Sequence, residues 1–307
     1  MKLLMFRNPA NAADYDGRPR LGALRPGHED EVVDLSEVAR DVIAVIDGGE
    51  PALSQAHKVA VDAKRGLSLK DVTLLPPIDA PRGNIIAMGR NYQKHAEETA
   101  TDGDVKPPTI FTKAITSITG PYDDIRIDPA ISDKLDWEVE LGVVIGKGGA
   151  NISRRDAIDH VFGYFVLNDV SARDIQNGWG GQYFKGKSLD RSCPTGPWVV
   201  TKDEVPDPGH LALRLTLNGV VKQDGNTEDM IHAVDSIIEW ASKGMTLLPG
   251  TLIATGTPDG VGFARTPPEY LKAGDVMETE VSGIGVLRNR IVPAKVGALA
   301  DHSHRGA

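Results

Sequence analysis

Three carboxylates stand out by their type and spacing. Glu138 and Glu140 lie two residues apart in LDWEVELGVVIG (135–146), between Trp137, Val139 and Leu141. In an extended strand, residues i and i+2 point the same way, roughly 7 Å apart. Two negative charges that close repel unless water or a cation screens them, so this face is either wet or covered by something positive. Asp169, in FGYFVLNDVSARD, follows another apolar run and stands at a strand end, before a short helix over 171–176. Three carboxylates at two strand positions suit a hard cation. Mg²⁺ takes about six oxygens and keeps several positions for water or substrate, room for a bidentate keto acid. No Cys/His cluster with zinc spacing is present.

Two other patterns lead nowhere. GQYFKGKS (181–188) matches the phosphate-loop spelling, but that loop needs a helix directly after it. Pro194, Gly196 and Pro197 rule out a continuing helix. Cys193 is the single cysteine, so no intrachain disulfide exists, and beside a proline it reads as a small buried hydrophobe. There is no G-x-S-x-G elbow to supply a serine nucleophile, which leaves water as the obvious one.

These residues must be carried by a framework, and the pattern favours strands. Short β-type runs succeed one another from about residue 83, among them 84–89, 109–114, 137–145, 163–169, 211–219 and 251–255. Asn218-Gly219 marks a hairpin. Only two well-formed helices are expected to interrupt the strands in this part: one over 153–162 capped by Ser153, and one over 227–244 with Ile231, Val234, Ile238 and Ala241 on one side. Many strands and few helices predict a β-rich α+β core, not a doubly wound sheet. Residues 1–75 read as a small N-terminal α/β domain: two strands, a helix capped by Ser36, and a second helix opened by Pro51. Pro76-Pro77 is the expected linker, 76–293 the catalytic domain, and 294–307, with His302 and His304, a flexible tail.

The bulk numbers set outer limits. The chain has 307 residues, with 34 Lys+Arg against 43 Asp+Glu and a net charge of −9. With no basic stripe, a nucleic-acid partner is not expected. No apolar run is long enough to span a bilayer, and MKLLMF is too short for a signal-peptide core. A cytoplasmic protein acting without a membrane is the expectation.

Six stretches, in order, carry a resemblance: GRNYQKHAEE, DWEVELGVVIGK, NDVSARDIQ, GKSLDRSCPTGPWVV, LNGVVKQDGNT and IATGTPDGVG. Over most of 83–293 the sequence resembles the fumarylacetoacetate hydrolase family, in its bacterial-type acylpyruvate hydrolase and 2-hydroxyhepta-2,4-diene-1,7-dioate isomerase-like branch. The resemblance implies a mixed β-roll catalytic domain, commonly as a homodimer. It implies a divalent metal, Mg²⁺ with Mn²⁺ able to substitute, held by Glu138, Glu140 and Asp169. It also implies a His–Glu pair on a closing lid, matched by His95 and Glu98, followed by the polar stretch 99–108. Lys187 matches an active-site lysine; Gln176 and Thr257 match substrate contacts, and Tyr92 belongs to the same signature.

Two departures narrow the substrate. The stretch before His95 reads MGR, where vertebrate fumarylacetoacetases place a further metal-binding aspartate, and the loop between Gln176 and Lys187, NGWGGQYFKG, is shorter and does not place the expected tyrosine. Acylpyruvates or dicarboxylic ring-fission products therefore fit better than fumarylacetoacetate. The leading expectation is a metal-dependent hydrolase cleaving a C–C bond in a 2,4-dioxo acid. A hydroxymuconate-type isomerase or an oxaloacetate decarboxylase uses the same enolate without water, and an inactive metal-binding scaffold is the alternative of another class. The retained His95, Glu98 and Lys187 count against the scaffold.

Overall fold

The computed structural model describes residues 1–8, 17–99 and 107–294. The stretch 100–106, the second half of the expected lid, and the tail with His302 and His304 lie outside the described residues. The N-terminal segment supplies β1 (Lys2–Arg7), β2 (Arg20–Arg25), β3 (His28–Asp34), α1 (Val42–Asp62), β4 (Leu67–Ser68) and β5 (Thr73–Leu75). Next come β6 (Ile85–Gly89), α2 (Gln93–Glu98), β7 (Thr109–Lys113), β8 (Ile118–Thr119) and β9 (Ile125–Ile127). The site region follows with β10 (Leu135–Asp136), β11 (Val139–Ile145), β12 (Val161–Asn168), β13 (Ser171–Ala172), α3 (Arg173–Gly178) and α4 (Tyr183–Gly186). The chain closes with β14 (Cys193–Thr201), β15 (Ala212–Leu217), β16 (Val220–Asn226), α5 (Val234–Ser242), β17 (Leu252–Ala254), β18 (Val276–Val281) and β19 (Gly285–Pro293).

The β-rich α+β architecture expected from the run of strands is observed. A long sheet orders its strands β4-β3-β2-β1-β14-β12-β11-β17-β6-β7, and a second runs β16-β15-β18-β19-β9. The N-terminal strands join the first sheet directly, because Lys2 and Leu3 of β1 pair with Val200 and Val199 of β14. Backbone hydrogen bonding is thus continuous across the linker expected at Pro76-Pro77.

β11 lies at the centre of this sheet and is buried on both faces. Val139, Leu141 and Val143 pack into one core cluster with Val166, Leu213 and Ile238. Val144, from the opposite face, packs with Phe165, Leu167 and Leu252 in a second cluster. Every residue of β11 therefore needs a non-aqueous partner, and that includes its glutamate.

One cap and two helices differ from expectation, each because tertiary hydrogen bonds outcompete local helical ones. Ser36 does not cap α1; its hydroxyl donates to Asp34, while Leu35 N–H bonds Leu21 O at 2.8 Å and keeps this stretch on the sheet. Asp41 is the cap, accepting from Ala44 N at 2.7 Å. The two expected N-terminal helices are both present within Val42–Asp62: the first breaks at Gly49, whose φ of 59° is non-helical, and the second follows with Pro51 in its first turn. Over 153–162 the chain makes a turn and a 3₁₀ segment (Ala157–His160), since Val161 onward is recruited into β12. The 227–244 helix begins only at Val234. Its first turns are pulled away by the segment around Asn91: Ile231 N–H donates to Asn91 O and His232 N–H to Asn91 Oδ1, each at 2.8 Å. No helix among the described residues is long and apolar enough to cross a membrane.

Candidate metal and acid–base site

The register of the central strands assembles the carboxylates. Val139 pairs with Asn168 across β11 and β12, and Asp169 N–H donates to Glu138 O at 2.9 Å. Asp169 therefore sits opposite Glu138, and Glu140 follows on the same face of its strand. Ligand oxygens of Glu138, Glu140 and Asp169 all lie within 4.8 Å of one another. None of the three faces bulk water: Glu138 is 4% exposed, Glu140 1% and Asp169 0%. Of the two readings of this face, the covered one holds.

The positive cover is specific. Lys187 Nζ lies 2.7 Å from Glu138 Oε2 and 2.9 Å from Asp169 Oδ2. Arg173 Nη1 reaches Glu138 Oε1 at 2.8 Å, and its Nε reaches Asp136 Oδ2 at 2.8 Å. Lys113, fully buried at the end of β7, places Nζ 2.6 Å from Asp169 Oδ1 and also donates to the Lys187 carbonyl. Burial pushes the Glu138 carboxyl upward, but Lys187, Arg173 and His95 outweigh it and hold it down at about 2. Glu140 is the opposite case. Burial, with Asp169 and Glu138 beside it, drives its carboxyl well above the usual range. It accepts from Gly256 N–H at 2.8 Å, and no lysine or arginine among the described residues pairs with it.

That imbalance is where a divalent cation fits. The protein's own cations neutralise Glu138 and Asp169, whereas Glu140 is left with excess negative charge in a dry place. Each carboxylate oxygen has lone-pair capacity beyond the bonds seen, so three hard oxygens can converge on one ion. Gly256 presents its amide to Glu140 with φ at +95°, and a β-carbon there would stand 2.7 Å from that of Asn91. Only glycine combines that backbone with that approach.

A cavity of about 290 Å³ opens beside the carboxylates and brings together His95, Glu138, Gln176, Lys187 and Thr257. A larger cleft, about 810 Å³, runs along α1 and contains none of the carboxylate cluster, so size does not mark the chemistry here. His95, 6% exposed, places Nδ1 2.8 Å from Glu98 Oε1, and Glu98 Oε2 accepts from Gly260 N–H at 3.0 Å. Glu98 thus fixes the imidazole and leaves Nε2 for the cavity. Gln176 accepts from Arg173 Nη1 at 2.9 Å, and Thr257 Oγ1 donates to Val139 O at 2.9 Å. Tyr92 does not line the cavity; its backbone bridges Met230, and its buried hydroxyl has no hydrogen-bond partner among the described residues.

The phosphate-loop spelling is fortuitous in structural terms. Tyr183–Gly186 is a single helical turn, and no helix follows Lys187 and Ser188 before β14. Cys193 is buried, with burial pushing its thiol up to about 12, as suits an inert packing residue. Sequence reasoning missed Lys113 and Arg173. Arg173 offered no clear signal, since Ser171–Ala172 is a strand and its partners are Asp136 and Glu138, not the neighbouring Asp169. Lys113 had none, since TIFTK reads as an ordinary strand ending in a solvated lysine.

Comparison with known proteins agrees with this geometry. The model for the fumarylacetoacetate (FAA) hydrolase C-terminal domain matches residues 84–292. The chain belongs to the fumarylacetoacetate hydrolase family. Within the family, it is 41% identical over 272 residues to the oxaloacetate tautomerase YisK of Bacillus subtilis, covering 86% of this chain and 90% of that one. The solved fumarylacetoacetate hydrolase of Exiguobacterium antarcticum superposes with a TM-score of 0.82 at 38% identity, over 96% of this chain and all of the other. A probable 2-hydroxyhepta-2,4-diene-1,7-dioate isomerase from Mycobacterium abscessus superposes at 0.77 with 34% identity, over 96% and 100% of the two chains. The six motifs quoted above fall within the matched region.

Proposed function

We propose that this protein interconverts the keto and enol forms of a small 2-keto dicarboxylate of the oxaloacetate type. The observation carrying this reading is a buried acid–base pair facing a cationic cavity of only about 290 Å³, at the small end for ligand sites. Similarity to an oxaloacetate tautomerase and to a dienedioate isomerase supports it. The expected C–C hydrolase gives way here to its isomerase-type alternative. Tautomerisation needs no attack on a carbonyl: it moves one proton to or from C3 and exchanges another between the 2-oxygen and water.

Glu138, Glu140 and Asp169 would hold the divalent ion, Mg²⁺ with Mn²⁺ as substitute. Such an ion, when bound, supplies Lewis-acid polarisation of an oxygen on the substrate. The chain's residues supply the rest. Lys187 is pinned between two carboxylates and presents a fixed ammonium toward charge developing on the 2-oxygen, the kind of preorganised donor that is worth about 10²–10³ in rate. His95 Nε2 carries the C3 proton, and Glu98 stabilises the imidazolium that results. Arg173 and Gln176, bonded to each other, orient the substrate against that base. Thr257 adds a second polar contact at the cavity wall.

A second reading, hydrolysis of an acylpyruvate, is favoured by the likeness to the Exiguobacterium hydrolase. The test is a substrate panel with Mg²⁺: the enol form of oxaloacetate against acetylpyruvate. Faster enol ketonisation supports the proposal. A higher kcat/KM for cleavage of acetylpyruvate to acetate and pyruvate overturns it.

A further inference from the structure

Arg90 lines the same cavity as His95, Glu138 and Lys187, yet none of the site's chemistry uses it. The other two lining cations of permanent charge are committed. Arg173 pairs with Asp136 and Glu138, which take its charge although its Nη2 has no hydrogen-bond partner, and Lys187 pairs with Glu138 and Asp169. Arg90 makes no ion pair among the described residues. Its Nη2 donates to Thr109 Oγ1 at 3.2 Å, and its Nε is buried with no hydrogen-bond partner. A buried, unpartnered guanidinium N–H loses the hydration it would have in water, so it is expected to find an acceptor in the functional state. The backbone also holds this residue in an unusual state. Arg90 has φ of 54°, a left-handed conformation that a β-carbon disfavours, where β6 leaves the sheet. Such outliers persist where the surroundings over-determine them, often beside a ligand.

We infer that Arg90 is the specificity-determining residue that receives a second carboxylate of the substrate, making the cavity selective for dicarboxylates over monocarboxylates of equal length. Arginine's planar fork matches a carboxylate with two parallel hydrogen bonds, and Nε is one of the groups that can make them. The first carboxylate and the 2-oxygen belong at the triad end, and the remaining negative charge then meets the one lining guanidinium whose charge is not already spent. The inference deepens the proposed function and rests on the cavity being the substrate site.

The test is calorimetric binding of malate and of 2-hydroxybutanoate to the Mg²⁺-loaded full chain. Both are stable four-carbon 2-hydroxy acids, and they differ only in a distal carboxylate against a methyl group. Wild type is expected to prefer malate by about tenfold or more, and Arg90→Met to reduce that preference to about threefold or less. Affinity for 2-hydroxybutanoate should stay unchanged. Arg90→Lys keeps charge but loses the fork, and should retain part of the preference. A malate preference that survives Arg90→Met overturns the inference, as do equal losses for both acids or a wild type that does not discriminate. If Arg90→Met does not fold, Arg90→Lys decides: an undiminished preference refutes the role. Enol turnover is measured separately, so an Arg90-dependent malate preference without tautomerase activity would sink the proposed reaction and leave this assignment intact.

Discussion

Replacing Lys113 by Met tests how the buried charges are balanced. Lys113 is 0% exposed, 2.6 Å from Asp169 Oδ1, and also bonds the Lys187 carbonyl. Burial works against its charge, but Asp169 and Glu138 overcome that and raise its pKa. Removing one partner of a buried pair costs about 3–5 kcal/mol, because the other charge stays behind. Lys187 still faces Asp169 from the other oxygen, which puts the loss near the lower bound, about 3 kcal/mol. At about 2–4 °C per kcal/mol for a chain of this class, the midpoint should fall by roughly 6–12 °C. Differential scanning calorimetry of the metal-free proteins reads this directly. Mg²⁺ should then raise the midpoint of Lys113→Met more than that of wild type, since the ion supplies positive charge beside Asp169. A midpoint within about 1 °C of wild type, with or without Mg²⁺, would refute the charge balance argued here.

Other outcomes follow from the same geometry. Glu140→Gln should weaken Mg²⁺ binding by about 10²-fold or more, read by calorimetric titration, because one of three hard ligands loses its charge. Without metal, the sign of its stability effect reverses. The folded pKa of Glu140 is raised, so wild type in EDTA should lose stability as pH climbs above the ordinary carboxylate range, a loss absent from Glu140→Gln. Asn91→Ala should cost about 2–3 kcal/mol in denaturant unfolding, since Asn91 Nδ2 bonds both His232 O and Thr255 O while Oδ1 accepts from His232 N–H. His95→Ala should abolish turnover and leave Mg²⁺ affinity nearly unchanged; loss of metal with normal turnover per bound ion would remove it from the acid–base role.

The carboxylate cluster was legible because strand periodicity alone places Glu138 and Glu140 on one face, and the apolar run before Asp169 marks a strand end. The acid–base pair was legible only through the family resemblance, since i,i+3 spacing alone reads equally as a polar surface helix. What covers the carboxylates was not. Lys113 and Arg173 come from distant strands and a short helix, and their pairing depends on a register that no local pattern records. The same limit explains the helices over 153–162 and 227–244. Asn91 captures Ile231 and His232, and β11 captures Val161, so the local preference loses to long-range hydrogen bonds.

The measurement nearest the central claim is the decay of enol-oxaloacetate absorbance in a stopped-flow mixer, with pyruvate followed in parallel. The account predicts enzyme-dependent ketonisation that needs divalent metal, vanishes in His95→Ala, falls about 10²–10³-fold in Lys187→Met, and releases no pyruvate. Pyruvate appearing in step with the enol decay, or a decay unaltered by excess EDTA and by loss of His95, would contradict it.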